Sequence, residues 1–370
     1  MSRVIVLGAG IVGTAAAWDL IRRGHDVTAA DADASRVAAT AADLDVHPVV
    51  LDVTDVAAVQ GAVAGHDLVV SAVPYVHGYD LATAAIEDGA HYLDFGGNPA
   101  VVARQLQLDA EAVAGDIAVI PDCGLAPGLA NVVAEGLLTE LGGTADSVQL
   151  RVGALPQQPV GALGYQLAFS PHGLINEYAE PCEVIEDGIR TTVEPLTRFE
   201  ALEWTGWGPL EAFSTAGGTS TMASSHQNAV TSLEYKTLRY PGHGRIFRAM
   251  YELGLFDEEP RRIGGTTLAP RDTLLAALSS HLPSGEPDVV LVRVWATRGD
   301  ETITAQCEDL HDGQFSALAR TTAFPATALA DLLLRGECAT RGVVTMNQAV
   351  ASSHLLAELD AVAIAFERAH

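Results

Sequence analysis

The distribution of apolar and polar residues predicts a chain that begins with alternating strands and helices. A continuous apolar run at Val4–Leu7 is typical of a parallel strand buried on both faces, and a helical pattern from Ala15 to Ile21 follows it. Further strands are predicted at residues 26–30, 48–51, 67–74, 91–94 and 117–122, with helices near 55–64, 78–89 and 99–115. This alternation predicts an α/β domain with a doubly wound parallel sheet.

The pattern changes after Asp122 and predicts a second domain of the α+β type. A helix near 128–141 is followed by longer mixed segments, and two strands at 289–295 and 301–307 flank a hairpin turn. A third strand at 315–322 would extend this hairpin, and apolar spacing over 346–366 predicts one amphipathic helix. We therefore expect three regions: 1–125 as the parallel-sheet domain, 126–325 as an inserted α+β domain for catalysis and oligomerisation, and 326–370 as helices that return to the first domain.

A glycine motif follows the first predicted strand. Gly8, Gly10 and Gly13 form a GxGxxG pattern between strand and helix, with Ile11 and Val12 inside it. The first glycine permits a tight turn, the second permits close approach of a pyrophosphate, and the third permits close packing of helix and strand. Asp31, eighteen residues beyond Gly13, ends the second strand and suits ribose hydroxyls. The motif predicts a Rossmann domain that binds NAD, although the nearby Arg36 leaves NADP possible.

Other candidate cofactor contacts lie at the ends of later strands. Asp52 is placed to contact adenine or to be a solvated loop acid, and Ser71, Ala72, Val73 and Pro74 end the fourth strand, where open α/β sheets bind ligands. Asp122 follows the sixth strand, where the nicotinamide is expected, and is a candidate for orienting the ring, contacting an amine or capping a helix. Cys123 beside it is interpreted as a buried thiol.

The composition narrows the classes of partner and location. The 370 residues are 48% hydrophobic, which suits two domains, and the formal net charge is −26. A nucleic acid or an anionic membrane surface requires a basic face, so neither is expected as a partner. No apolar run is long enough to span a bilayer, the first residues lack a signal-peptide pattern, and the four cysteines lack metal-site spacing. We expect a cytoplasmic protein without a metal; the acidity fits either a high-salt habitat or a GC-rich genome.

Two polar segments of the second domain carry the candidate catalytic chemistry. Lys236 is the only lysine of the chain, and lysine can lose its proton when it is desolvated. We therefore expect Lys236 or His243 to be the base, and Arg239 to bind a carboxylate. Tyr178 and His172, in a predicted loop at 169–178, and Thr219, in the segment 213–221, are candidate substrate contacts. An ordinary surface strand around Lys236 is the alternative.

These features together resemble the saccharopine dehydrogenase superfamily, and within it the lysine 6-dehydrogenases. The resemblance rests on the glycine motif, on Asp31, and on the blocks 122–131, 170–178 and 235–243. It implies a Rossmann domain, an inserted catalytic domain and oxidoreduction at an amine carbon of an amino acid. It also implies a homo-oligomer, a dimer or larger. The single lysine and the strong acidity do not belong to the family pattern.

The leading functional hypothesis is NAD-dependent oxidative deamination of the terminal amine of lysine. One alternative keeps the chemistry but forms saccharopine or a carboxypolyamine from an aldehyde and an amine. A second alternative is a protein that binds NAD without turnover, as a sensor or an assembly factor. The partner in either enzymatic case is a small amino acid or amine.

Overall fold

The computed structural model describes residues 1–369, with the side chain of Ile263 outside that description. Its internal contacts divide the chain into two units. Unit 1 comprises Met1–Gly136 and Ala319–Ala365, and unit 2 comprises Leu137–Leu318 and the end of the chain from Phe366. The helices after residue 318 therefore belong with the N-terminal domain.

Unit 1 is built on a parallel sheet. Within the described residues the sheet has seven strands: β1 (Arg3–Leu7), β2 (Asp26–Asp31), β3 (His47–Val50), β4 (Leu68–Ser71), β5 (His91–Asp94), β6 (Ala118–Ile120) and β17 (Gly342–Val343). Their order is β17-β6-β5-β4-β1-β2-β3, and every pairing is parallel. From β1 the strand order runs through β2 to β3 on one side and through β4 and β5 to β6 on the other, and this switch in strand order beside β1 is typical of a doubly wound fold.

Helices cover the sheet of unit 1. They are α1 (Ile11–Arg22), α2 (Ala34–Asp43), α3 (Val56–Val63), α4 (Gly78–Asp88), α5 (Pro99–Gln105), α6 (Asp109–Ala114), α7 (Leu129–Glu140), α12 (Ala317–Leu334), α13 (Met346–Ala349) and α14 (Ser352–Asp360), with short 3-10 turns at Tyr75–His77 and Leu106–Leu108. Strand residues such as Ile5, Val69 and Tyr92 form one fully buried core with Leu81 and Val59 of the helices. None of the described helices combines the length and the apolar character that crossing a bilayer requires.

Unit 2 is built on a mixed sheet. Within the described residues it has nine strands: β7 (Ala145–Pro156), β8 (Cys182–Glu186), β9 (Ile189–Val193), β10 (Glu200–Trp204), β11 (Gly208–Ser214), β12 (Val230–Arg239), β15 (Asp288–Arg298), β16 (Glu301–Leu310) and β18 (Glu367–Ala369). The main order is β10-β11-β12-β7-β15-β16-β18, and β8 pairs with β12 and β9. A separate hairpin joins β13 (Arg261–Ile263) and β14 (Thr266–Leu268).

Among the described residues, unit 2 has four helices outside its sheet. They are α8 (Pro171–Ala179), α9 (Met222–Ser225), α10 (His243–Glu252) and α11 (Pro270–His281). Three of them, α8, α10 and α11, share one buried cluster. Leu174 and Tyr178 of α8, Phe247 of α10 and Leu274 of α11 form a buried cluster with Phe213 of β11. This cluster fixes α8 and α10 against β11 and β12, which carry the polar residues described below.

The predicted fold class is confirmed, and the hairpin turn at residues 298–300 joins β15 to β16 as expected. The third strand predicted at 315–322 is wrong, because these residues begin α12. The side chain of Asp288 accepts hydrogen bonds from the amides of Ala317 (2.7 Å) and Leu318 (3.0 Å) and so caps the helix. Because the capping residue lies nearly thirty positions away in the sequence, the local pattern around residue 317 does not reveal the start of this helix.

The single helix predicted at 346–366 is also wrong. A capping box at Thr345 starts α13, but Val350 and Ala351 are extended and separate it from α14. Ala363 then has a positive φ of 59°, and Glu367–Ala369 form β18, which pairs with β16. The apolar spacing runs through both helices, so the pattern alone did not reveal the break. Most of the predicted loop at 169–178 is likewise a helix, α8, with Pro171 in its first turn.

We expect Asp288→Ala to lower the free energy of unfolding by about 1–3 kcal/mol, because it removes two acceptors from buried helix amides. Chemical denaturation followed by circular dichroism measures this loss. Asp33→Ala is the matched control, since Asp33 caps the exposed start of α2 through Ser35. A loss for Asp288→Ala no larger than that of the control would show that the buried cap is not important for stability.

Candidate active site

The glycine turn of unit 1 has the geometry that a dinucleotide requires. Gly8 has a φ of +102°, and a Cβ there would lie 2.6 Å from the carbonyl oxygen of Ala72. A Cβ on Gly13 would lie 1.8 Å from the carbonyl oxygen of Gly8, whereas a Cβ on Gly10 would meet nothing within 4 Å. The outer glycines are therefore required by packing, and the middle one leaves open space at the start of α1.

The start of α1 is a ready anion site beside Asp31. The N-cap residue Gly10 has no side chain that could cap this helix, and Ile11 is 61% exposed, so the first amides remain available to a pyrophosphate. The carboxylate of Asp31 accepts hydrogen bonds from the amides of Ala9 and Asp33, both at 2.8 Å. These bonds fix the carboxylate at the end of β2, where it suits the ribose hydroxyls. The residues present therefore fit a nicotinamide dinucleotide.

The end of β4 lies directly against the glycine turn. Ser71 is buried, the Cβ of Ala72 lies 3.3 Å from the Cβ position on Gly13, and Val73 Cγ1 lies 3.3 Å from that on Gly8. Pro74 then leads into the 3-10 turn at Tyr75–His77. The structure thus brings this predicted segment together with the glycine motif.

Asp52 is held by its own loop. Its carboxylate accepts hydrogen bonds from the amide (2.9 Å) and the hydroxyl (2.7 Å) of Thr54, which lower its pKa. The side chain is exposed, and its predicted contact with adenine stays a prediction.

Asp122 lies in a buried loop that Asp94 organises. The Asp94 carboxylate accepts hydrogen bonds from Gln105 Nε2 (2.6 Å) and from the amides of Gly96 (2.8 Å) and Asp122 (3.2 Å). Asp122 has a φ of 61°, and a Cβ on Gly96 would lie 1.9 Å from its Oδ1. Burial raises the pKa of the Cys123 thiol, which favours an inert role for it. The role of Asp122 toward the nicotinamide or the substrate stays a prediction.

In unit 2, three of the predicted residues form one buried hydrogen-bonded chain. Arg239 Nε donates to the Tyr178 hydroxyl at 3.0 Å, and this hydroxyl lies 3.0 Å from His243 Nε2. His243 Nδ1 lies 3.0 Å from the carbonyl oxygen of Leu163, so Nδ1 carries the proton and Nε2 accepts from Tyr178. The guanidinium also lies over the ring of Tyr165, 5.0 Å from its centroid.

His243, the histidine of this hydrogen-bonded series, is neutral. Burial and the Arg239 charge lower the pKa of His243 to about 3, and both of its ring nitrogens are engaged. A neutral ring with no free lone pair orients Tyr178 and thereby Arg239. The predicted role of His243 as the base therefore has no support from this geometry.

Lys236 lies on the opposite face of β12 from Arg239. Positions 236 and 239 are an odd number of residues apart, and successive side chains of a strand point to opposite faces. Lys236 Nζ lies 3.0 Å from Glu200 Oε2 and 3.2 Å from Glu234 Oε2, and Arg151 also pairs with both carboxylates. An ammonium that donates to two carboxylates is poorly placed to accept a proton. The structure does not bring Lys236 together with the other candidates.

The two remaining predicted substrate contacts are not part of the hydrogen-bonded series formed by Arg239, Tyr178 and His243. His172 is exposed in the first turn of α8. Thr219 is buried, and its hydroxyl donates to the carbonyl oxygen of Glu183 at 3.4 Å. Their roles in substrate binding stay predictions.

Sequence reasoning missed Glu177, which precedes Tyr178 on α8. Its side chain is partly exposed and makes no hydrogen bond or ion pair with any described residue. Burial raises the pKa of its carboxyl group to about 7, and the charge of Arg239 opposes that rise. The signal was present, because Pro171 and the apolar pair Leu174 and Tyr178 at i, i+4 spacing indicate a helix that carries Glu177.

The fold and these sites define a two-domain protein whose first domain binds a nicotinamide dinucleotide. Residues 4–120 match the saccharopine dehydrogenase NADP binding domain, and residues 124–364 match the saccharopine dehydrogenase C-terminal domain. The chain belongs to the saccharopine dehydrogenase family. The predicted family and the predicted NAD(P) cofactor are thereby confirmed.

Individual relatives are distant. The saccharopine dehydrogenase (NADP(+), L-glutamate-forming) of Schizosaccharomyces pombe is 24% identical over 268 residues, which are 70% of this chain and 59% of that protein. The mitochondrial alpha-aminoadipic semialdehyde synthase of Mus musculus is 26% identical over 274 residues, 70% of this chain and 29% of that protein. The chain thus spans less than two thirds of either relative.

A solved structure shares the whole fold. Apo saccharopine dehydrogenase (L-Glu forming) from Saccharomyces cerevisiae superposes with a TM-score of 0.82 over 100% of this chain and 99% of its own, at 18% identity. This similarity supports the two-domain architecture described above.

We expect Lys236→Met to leave turnover within about threefold of the wild type while lowering the free energy of unfolding by about 1–2 kcal/mol, because Glu200 and Glu234 lose a partner but keep Arg151. Steady-state kinetics and denaturant unfolding measure the two effects. Lys236→Arg, which retains the charge, is the control. A fall in turnover of about 10²–10⁴ would instead establish Lys236 as the base.

Proposed function

We propose that this chain is an NAD-dependent oxidoreductase that acts on the carbon–nitrogen bond of an amino acid, with the terminal amine of lysine as its leading substrate. The observation that carries the proposal is the buried guanidinium of Arg239. Its hydrogen bonds go to a phenol and a backbone carbonyl, and no carboxylate of the described residues forms an ion pair with it. A buried charge is costly without a counter-ion, so an anionic ligand group is expected there.

A carboxylate is the anion that fits this site. The planar guanidinium offers parallel N–H donors that match the two oxygens of a carboxylate. The chain through Tyr178 to His243 fixes the plane of the guanidinium, because each donor in it has one defined acceptor. We assign Arg239 to the substrate carboxylate, which leaves the far end of the amino acid for the reaction.

The chemistry needs a dinucleotide, which the glycine turn, the start of α1 and Asp31 would hold. When bound, it supplies the acceptor for the hydride that leaves the substrate carbon. The residues of this chain bind and orient the amino acid and manage the proton of its amine. The resulting imine is hydrolysed to an aldehyde and ammonia, or it cyclises.

A second candidate function is the reductive joining of an aldehyde and an amine into a saccharopine-like product. The relatives favour it, since the matched proteins include saccharopine dehydrogenases. The Arg239 site favours lysine, because one guanidinium suits a substrate with one carboxylate. Assays of both directions with lysine, saccharopine and diamines separate the two reactions.

We expect Arg239→Lys to raise KM for amino acid substrates about 10- to 100-fold while changing the rate on simple diamines little, because the planar fork is lost but the charge remains. The measurement is a screen of NAD reduction over amino acids and diamines, at low and at multimolar salt. Activity on diamines is the internal control for folding. Equal losses on both classes would contradict the assignment, and wild-type protein that binds NADH but oxidises no amine would contradict the proposed function.

We expect NAD to be preferred over NADP, and Asp31→Ser to raise KM for NAD about tenfold while improving the use of NADP, because a carboxylate repels the 2′-phosphate. The nearby cation, Arg36, is paired with Asp33 at 3.7 Å. Steady-state kinetics with both cofactors measure the preference. Asp43→Ser, which removes an exposed charge at the far end of α2, is the control. An unchanged cofactor ratio in Asp31→Ser would contradict the role of Asp31.

A further inference from the structure

The backbone of Glu177 is fixed by contacts of its neighbours, whereas its own side chain takes part in none of them. Its backbone carbonyl accepts the amide of Ala216 at 2.9 Å, which ties α8 to the segment after β11. Its neighbour Tyr178 is fully buried between Phe213 and Phe247. The backbone position of Glu177 is therefore fixed, and its carboxyl group is partly exposed, with no hydrogen bond or ion pair to any described residue. Such a carboxyl group is available to a ligand.

The surroundings of Glu177 contain one cation and several neutral groups. Arg239 and Tyr235 face it from β12, Tyr178 lies beside it on α8, and Tyr165 lies before α8, while His243 of α10 stays neutral. Burial raises the pKa of each of these tyrosines, so they keep their protons near neutral pH. From α11, Arg271 is bound to Glu258 and to Asn176. Among the groups that face it, Glu177 is thus the one whose charge changes near neutrality.

Oxidation of an amine requires a proton acceptor. An ammonium group has no lone pair, so it must lose a proton before its nitrogen can form a double bond to carbon. Lys236 is engaged with two carboxylates, and both nitrogens of His243 are hydrogen-bonded. Neither sequence candidate is free for this task in the structure, whereas Glu177 is.

Resting on the proposed function, we propose that the Glu177 carboxylate is the catalytic base that accepts the proton of the substrate ammonium. The N–H bond breaks, its proton passes to a Glu177 oxygen, and its electron pair remains on nitrogen. That pair would then form the C=N bond as the adjacent C–H bond breaks, and a dinucleotide held by the glycine turn and Asp31 would supply the acceptor for the hydride. Water adds to the iminium, and ammonium leaves to give the aldehyde.

We expect Glu177→Gln to lower kcat about 10²–10⁴-fold with a small change in KM. In the wild type, log kcat/KM should fall with decreasing pH below about 7, because the carboxyl group with its raised pKa becomes protonated and cannot accept a proton. This limb should be absent in Glu177→Gln and partly restored in Glu177→Asp. The substrate is L-lysine, or the amine that the screen above identifies. Glu203→Gln, the same charge change at an exposed position of β10, is the control.

A binding measurement without cofactor gives an independent readout. Calorimetry of L-lysine binding at pH 6, in two buffers of different ionisation enthalpy, should show proton release from the wild type and none from Glu177→Gln. If Glu177→Gln raises KM but keeps kcat and the acidic limb, the residue anchors an ammonium and is not the base. If the variant matches wild type while Arg239→Lys behaves as expected, this inference fails and the proposed function stands. If the wild type oxidises no amine, both fail.

Discussion

The buried guanidinium of Arg239 is the constraint around which unit 2 is arranged. A charge in the interior is tolerated only where its donors have acceptors, and here the Tyr178 hydroxyl and the Leu238 carbonyl supply them. Tyr178 in turn needs an acceptor for its own proton, which His243 provides because Leu163 fixes its tautomer. One strand and two helices are therefore held together by a single series of hydrogen bonds, in which Arg239 forms no ion pair with a described residue.

The two faces of β12 carry charged residues of different kinds. On one face Lys236 and Arg151 are matched by Glu200 and Glu234, so that the net charge of the group is balanced. On the other face, no carboxylate of the described residues lies within ion-pair distance of Arg239. A balanced cluster stabilises the sheet, whereas an unbalanced buried cation favours binding of an anion. Alternation along a strand is what keeps the two kinds of site apart.

Sequence reasoning succeeded where local spacing carries the information. The glycine motif, Asp31 and the alternation of strands and helices predicted unit 1, because each signal lies within a few residues of the element it determines. It failed where a distant residue decides the outcome: Asp288 caps α12 across the fold, and no pattern near Ala317 shows it. The placement of Lys236 was open to prediction, since strand alternation separates it from Arg239. Glu177 required the helix α8 to be recognised first.

Burial acts on the two ionisable groups beside Arg239 in opposite directions. Desolvation disfavours whichever form is charged, so the same environment lowers the pKa of His243 to about 3 and raises that of Glu177 to about 7. Arg239 adds to the first effect and opposes the second. Near neutral pH the histidine is consequently a fixed hydrogen-bonding group, and the carboxyl group is poised between its two forms. A group in that state is suited to proton transfer, which is the general relation between displaced pKa values and acid–base roles.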